Sequence, residues 1–340
     1  MRRHLSASLV VLLTFALAAA VQAAPPIELE LATERGLQIT APREWLQRLA
    51  SIGITNVRIR AANPADQPAV DNRGTADRPR FHVVGVIAAG DELHLPGGTF
   101  QASDRQKLAE YFARLSADGP ESLTAPRGRF GLTEKDFTAA HADLSQPVDS
   151  ATKGQPLRAV LDLLQAKFSL QLAPDAAASQ IIRTATPVAD DVGNLTAGTG
   201  LAIVLRNYGL VLHPEKSVGE PVALRITPSE SVDDSWPIGW ESKASPRETA
   251  PALFESLNVE IEGYTLAEAI DAIDPRLKLP VYWDHAALAK HKIDPTTIQV
   301  RLPRTRTYYK RILDRVLAQA GLAGRIRVDE AGAAFLWISK

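Results

Sequence analysis

"GYTLAEAIDAIDPRLKLPVYWD" (residues 263–284) follows, by about a hundred residues, a stretch that reads "GQPLRAVLDLLQAKFSLQLAPD" (residues 154–175). The two align without a gap at an offset of 109. Gly154 matches Gly263, Leu157 matches Leu266, Asp162 matches Asp271, Leu170 matches Leu279 and Asp175 matches Asp284. Apolar residues fall at i, i+3, i+4 and i+7 in both copies: Leu157, Val160, Leu161 and Leu164, then Leu266, Ala269, Ile270 and Ile273. That period predicts an amphipathic helix in each. Thr265 with Glu268 three residues later predicts a capping box for the second helix, and Pro156 suits the first turn of the other. A short strand is expected after each helix, in "SLQL" and "LPVYW".

A second correspondence lies downstream at an offset of 112. Leu201, Val204, Leu205, Gly209 and Leu210 recur as Leu313, Val316, Leu317, Gly321 and Leu322. The two glycines sit where a left-handed residue would stop a helix. Leu224 and Ile226 match Leu336 and Ile338 in a closing strand. Two helices, two stops and two strands in the same order mark a duplicated module. Each copy reads strand, helix, strand, strand, helix, strand, strand. "LNVEIE" and "IQVRL" alternate apolar with polar, as a sheet covered on one face does. The fold class expected is α+β, with tandem small β-α-β-β-α-β-type modules, two helices on a mixed sheet, preceded by a separate α+β domain.

The pattern from "LNVEIEGYTLAEAIDAI" through "LPVYWD", "IQVRL" and "YKRILDRVLAQAGL" to "FLWIS" resembles the short N-terminal (STN) domain of bacterial secretins and TonB-dependent transducers. It is closer still to exported bacterial proteins that carry such modules without a pore. The resemblance spans roughly residues 148–340 and is best over 257–340. It implies a periplasmic protein–protein contact module and brings no catalytic residues with it. No secretin barrel, TonB plug or outer-membrane barrel follows the modules in this chain.

The first residues read as an export signal: Arg2 and Arg3, an uncharged apolar run over residues 9–21, and small residues at Val21 and Ala23. The run is too short for a comfortable membrane span. With no cysteine there is no disulfide scaffold, no thiolate metal site and no acceptor for a lipid anchor. The expected location is therefore the periplasm, with secretion as the other outcome. A formal charge of −1 offers no whole-protein argument for nucleic acid. The 340 residues divide into a signal peptide (1–23), an N-terminal α+β domain (24–147), module 1 (148–228), a linker rich in Pro and Trp (229–251) and module 2 (252–340).

In the N-terminal part, "PREWLQRLASIG" predicts a helix with Trp45, Leu49 and Ile52 inward and Gly53 as its stop. "ITNVRIR" predicts a strand, and a hairpin is expected around Gly90 and Asp91. "SDRQKLAEYFARL" reads as a helix capped by Ser103 and Gln106 that buries Leu108, Phe112 and Leu115. A further helix starts at Thr133. Residues 61–79 carry too few apolar side chains to be anything but a loop.

Chemistry-bearing patterns are sparse. No HExxH or GxSxG occurs, and His285 and His291, six apart, do not share a helical face. Asp284 is expected to cap the short helix after it. "AGTGLA" (residues 197–202) resembles a phosphate loop but lacks its lysine, so it reads as a helix entry. Two features stand out as partner-binding candidates. One is Trp236 and Trp240 in the linker, which either fold back on a neighbouring domain or meet a ligand. The other is "RLPRTRTYYKRILDR" (residues 301–315), whose Arg304, Arg306, Lys310 and Arg311 make either a polyanion site or a solvated helix face. No cofactor, metal or catalytic residue is assigned. The function expected is non-enzymatic interaction with an envelope protein through exposed sheet edges, with self-association open. The alternative is an envelope polysaccharide or peptidoglycan binder or enzyme.

Overall fold

The computed structural model describes residues 25–37, 40–75 and 77–340. The export-signal reading lies outside these residues. Among the described residues no helix is long and apolar enough to cross a membrane. The chain divides into two units, Met1–Thr124 and Ala125–Lys340, and its elements combine helices with mixed sheets in an α+β fold.

In the first unit the order is β1 (Ile27–Thr33), α1 (Ala41–Ala50), β2 (Val57–Ala61), β3 (Ala69–Asn72), β4 (Phe81–Ala88), β5 (Glu92–Leu95), β6 (Gly98–Phe100), α2 (Arg105–Asp118) and α3 (Glu121–Thr124). The sheet runs β2-β1-β4-β5-β6, with β3 also on β4. β1 lies parallel to both β2 and β4, so α1 is a crossover helix. It buries Trp45 and Leu49 against Leu29 and Leu31, and α2 adds Leu108, Phe112 and Leu115 to the same core. Two expectations are corrected. Residues 69–72 form β3, because the full-length neighbour β4 supplies the pairing that four weakly apolar residues cannot supply alone. Asp104, not Ser103, precedes α2, and its carboxylate accepts from the Gln101 amide and pairs with Lys107 instead of capping a helix amide.

The second unit continues with α4 (Glu134–Leu144), α5 (Leu157–Gln165), β7 (Gln171–Pro174), α6 (Ala176–Thr184), α7 (Ala197–Arg206), β8 (Leu210–Glu215) and β9 (Ala223–Pro228). After α8 (Pro246–Thr249) come β10 (Ser256–Thr265), α9 (Leu266–Leu277), β11 (Val281–Trp283) and α10 (His285–His291). The chain ends with β12 (Gln299–Tyr308), α11 (Tyr309–Gln319), β13 (Ala323–Val328) and β14 (Ala334–Ser339). The helix starting after Thr133 belongs here and not with the N-terminal unit: Leu144 and Phe137 pack into the core of the first copy.

The duplication holds at the level of register. The first copy forms the sheet β7-β9-β8 and the second β11-β14-β13, each with one parallel and one antiparallel pair. Leu172 faces Leu224 in the first copy, and Val281 faces Leu336 in the second, which are the same positions at offsets 109 and 112. Leu212 with Ile226 and Gly324 with Ile338 repeat this on the antiparallel side. Gly209 and Gly321 both take the left-handed conformation that stops α7 and α11. Asp175 and Asp284 cap α6 and α10 by accepting from Ala178 and Ala287 amides. Thr265 and Glu268 make the expected capping box.

The copies differ in the flanking ribbon. In the second copy β10 and β12 pair antiparallel over ten residues each. In the first copy only the two ends of that ribbon survive. Pro147 bridges Thr196, matching Ser256 with Tyr308, and the Val188 amide donates to the Gln155 carbonyl, matching Tyr264 with Val300. The two further strands expected in the first copy are thus loop, held by these remnants.

The two copies pack on each other. Along β14, Leu336 and Ile338 point to the helices of their own module, while Phe335 and Trp337 join the core of the first copy with Tyr282 and Trp236. A strand buried on both faces reads as continuous apolar sequence, as "AFLWIS" does. The matching strand β9 has Arg225 between Leu224 and Ile226, so its second face is polar. α7 shows the same logic: every residue from Ala197 to Leu205 is buried, because a sheet of each copy covers it. α11 keeps Arg311, Asp314 and Arg315 exposed. Aromatic faces therefore meet at the seam, and polar faces close the pair at its far ends.

Candidate functional site

The seam is built around Glu330, on the turn between β13 and β14. The N-terminus of α7 leaves backbone N–H groups unpaired and carries a partial positive charge. Glu330 of the second copy supplies the anion. Its Oε2 accepts from the Thr199 amide at 3.1 Å, from Thr199 Oγ1 at 2.9 Å and from Thr196 Oγ1. Its Oε1 accepts from Trp236 Nε1 at 2.6 Å and Trp240 Nε1 at 3.3 Å. Asp329 beside it accepts from the Thr196 amide at 3.1 Å. A Cβ on Gly198 would lie 2.7 Å from a Glu330 oxygen and 2.8 Å from Trp236 Nε1, so only glycine lets the carboxylate this close. The stretch resembling a phosphate loop is a helix entry, and the chain fills it with its own acid.

A second tie runs through Arg206 at the end of α7. Its guanidinium meets Asp284 at 3.1–3.2 Å while Asp284 also caps α10. Nearby, His285 Nε2 lies 3.3 Å from Asp190, which holds the imidazole above its ordinary pKa; burial and Lys153 pull the other way.

The linker is not a free tether. The Trp236 amide donates to the Leu212 carbonyl on the edge of β8, and Trp240 exchanges backbone hydrogen bonds with Val328 on the edge of β13. Gly239 between them has φ +65°, and a Cβ there would meet the Phe335 ring at 2.5 Å. Both linker tryptophans fold back: Trp236 is 2% exposed, and Trp240 packs edge-to-face with it and carries the Arg129 guanidinium over its ring.

Two other sheet edges are closed by side chains. Gln165 of α5 donates to the Leu170 carbonyl and accepts from the Leu172 amide, both at 2.7 Å, standing in for a neighbour of β7. Gln319 of α11 does the same to the Arg301 backbone of β12. β12 is further broken by a register shift beside Pro303. These are devices that keep strands from pairing at random.

Two of the open cavities beside the seam share Arg325, Arg327 and Glu241 in their walls. One, of about 640 Å³, lies over the outer face of the second sheet, where Trp337 meets Arg129, Arg206, Arg325 and Arg327. The other, of about 490 Å³, runs along the edge of β13 between Gly324–Arg327 and linker residues 241–249, with Lys310 on its wall. Arg327 pairs at 3.4 Å with Glu241, itself 88% exposed, and Lys310 pairs with Asp314. Arg325 has no carboxylate partner among the described residues.

Of the residues singled out in the sequence, Trp236 and Trp240 thus sit in the seam, and Lys310 reaches the cavity beside β13. Arg304, Arg306 and Arg311 are exposed on β12 and α11 and line neither cavity. Glu330, Arg325 and Arg327 were not singled out. Arg325 and Arg327 alternate with Ile326 in "GRIRV", a signal that one strand face is basic. Among the described residues no group of three or more His, Asp or Glu side chains is arranged to hold a metal ion. No protein-family model matches the chain, and neither does any curated protein or solved structure.

Proposed function

We propose that the chain is a non-enzymatic binding protein of the bacterial cell envelope, whose paired STN-like modules hold a partner protein as one body. The observation that supports this most is the saturation of the seam. The chain spends a carboxylate, two tryptophans and two threonines on locking its copies together. What the seam leaves open includes a basic rim beside one strand edge. Binding across two fused modules needs no ordering of one against the other, which lowers the entropic cost of association. The polysaccharide reading leaned on Trp236, Trp240 and the Arg-rich segment 301–315; both indole N–H groups are taken by Glu330, and the arginines of that segment stay exposed.

The test is cross-linking of the tagged full chain in envelope extracts, followed by reconstitution with each captured protein in purified form. A saturable complex of fixed stoichiometry is expected. If no captured protein binds saturably, while peptidoglycan or an envelope polysaccharide does, the proposal fails.

A further inference from the structure

The geometry points to the outer edge of β13 as the docking strand for an extended, acidic peptide segment of the partner. This rests on the binding reading above and names the site and the chemistry it selects.

Along β13, Arg325 and Arg327 face Trp337 and Phe335 of β14, and the Asp329 amide donates to the Ala333 carbonyl. Val328 instead turns its N–H and C=O outward, where both meet Trp240. By the two-residue alternation of an antiparallel pair, Gly324 and Ile326 also turn theirs outward. No strand or side chain among the described residues pairs with them. They floor the cavity of about 490 Å³.

The first copy shows what a closed version of this edge looks like. Position 326 corresponds to Pro214, which has no N–H to offer, and position 324 to Leu212, whose carbonyl takes the Trp236 amide. Proline on an edge strand prevents pairing. The second copy has Ile326 there, so the blunting device present in one copy is missing from the other.

The chain already displays the recognition in miniature. Its own linker adds to β13 through a single bridge at Val328 and then places Glu241 against Arg327. A partner strand continuing along Ile326 and Gly324 would set alternate side chains beside Arg325 and Arg327, on the face where unpaired Arg325 calls for a carboxylate. The intervening side chains would face Ala244, Pro246 and Thr249, a small and mostly apolar wall. Glu241, held only by an exposed pair, is readily displaced. The fitting ligand therefore alternates acidic with apolar residues.

The experiment uses the full chain and fluorescein-labelled decapeptides read by anisotropy. One peptide alternates Glu with Val, a second alternates Lys with Val, and a third and a fourth are the Glu/Val peptide N-methylated at alternate residues in one register and in the other. The Glu/Val peptide is expected to bind at least tenfold tighter than the Lys/Val peptide and than the N-methylated peptide whose methyl groups fall on the edge facing β13. Arg325→Glu with Arg327→Glu, checked for native circular dichroism, should weaken it at least tenfold. Both N-methylated peptides binding within twofold of the parent would overturn strand addition even if the variant failed to fold. Equal binding of the Lys/Val peptide would overturn the acidic selection. If the reconstituted envelope partner binds R325E/R327E as well as the unaltered chain, this site is wrong while the binding function stands.

Discussion

Trp236 Nε1 donates to Glu330 Oε1 at 2.6 Å, joining the linker to the second module over the helix entry of the first. Three more side-chain or backbone donors from Thr196 and Thr199 converge on the same carboxylate. Removing it strands several of them at once. Glu330→Ala is expected to cost on the order of 3 kcal/mol, since each buried donor left unpaired costs about 1–3 kcal/mol. Glu330→Gln, which keeps one acceptor oxygen, should cost less. Urea denaturation followed by tryptophan fluorescence measures both, and equal stability of the Ala variant and the parent would contradict the assignment.

The inner faces of the two repeated helices make a matched pair of tests. Leu157 and Leu266 are 1% and 0% exposed. Leu157→Ala and Leu266→Ala should each cost about 2–5 kcal/mol, as truncations in a packed core do. Losses under about 0.5 kcal/mol would mark surface positions.

Gly239 carries two constraints, a left-handed φ and contact with the Phe335 ring. Gly239→Ala should therefore lose about 1–3 kcal/mol by strain and overpacking. Gly219, in the hairpin of the first copy, has no comparable seam role, and its substitution by Ala should leave the near-ultraviolet spectrum of the seam tryptophans unchanged, whereas Gly239→Ala should alter it.

The His285–Asp190 contact sets a pH dependence. The pKa of His285 is raised chiefly by its hydrogen bond to Asp190. Its contribution is fully present below about 6.5, the ordinary imidazole value, and is lost as pH rises through the higher folded value. Because the ring is 41% exposed, the effect should stay under about 1 kcal/mol. Urea midpoints compared at mildly acidic and mildly alkaline pH should fall with rising pH, and His285→Gln should flatten that part of the slope. A steeper slope in the variant would refute the sign.

How much of this was legible in the sequence depends on how local the cause is. Helix phases, glycine stops and the caps at Asp284 and Thr265 are set within a few residues, and periodicity alone finds them. The two offsets anticipated a register that the two sheets then share. The double burial of β14 matches the continuous apolar sequence of "AFLWIS", but what covers the second face of β14 and of α7 comes from the other copy and is not marked locally. Glu330 was illegible because its partners lie ninety or more residues away and nothing near it marks an N-cap for another helix. β3 was missed for a related reason: its pairing is supplied by β4 and not by its own composition. The missing ribbon of the first copy follows from "ATPVADDVGN", where Pro187 and two aspartates replace the alternation of "IQVRL".

The central claim is that duplication produced two like modules that behave as one cooperative body, locked at Glu330. Amide hydrogen exchange of the full chain, resolved over β7–β9 and β11–β14, tests it most directly. The account predicts one common opening free energy for the slowest amides of both sheets, and two separate values in Glu330→Ala. Two distinct values in the unaltered protein, with each sheet opening independently of the other, would contradict it.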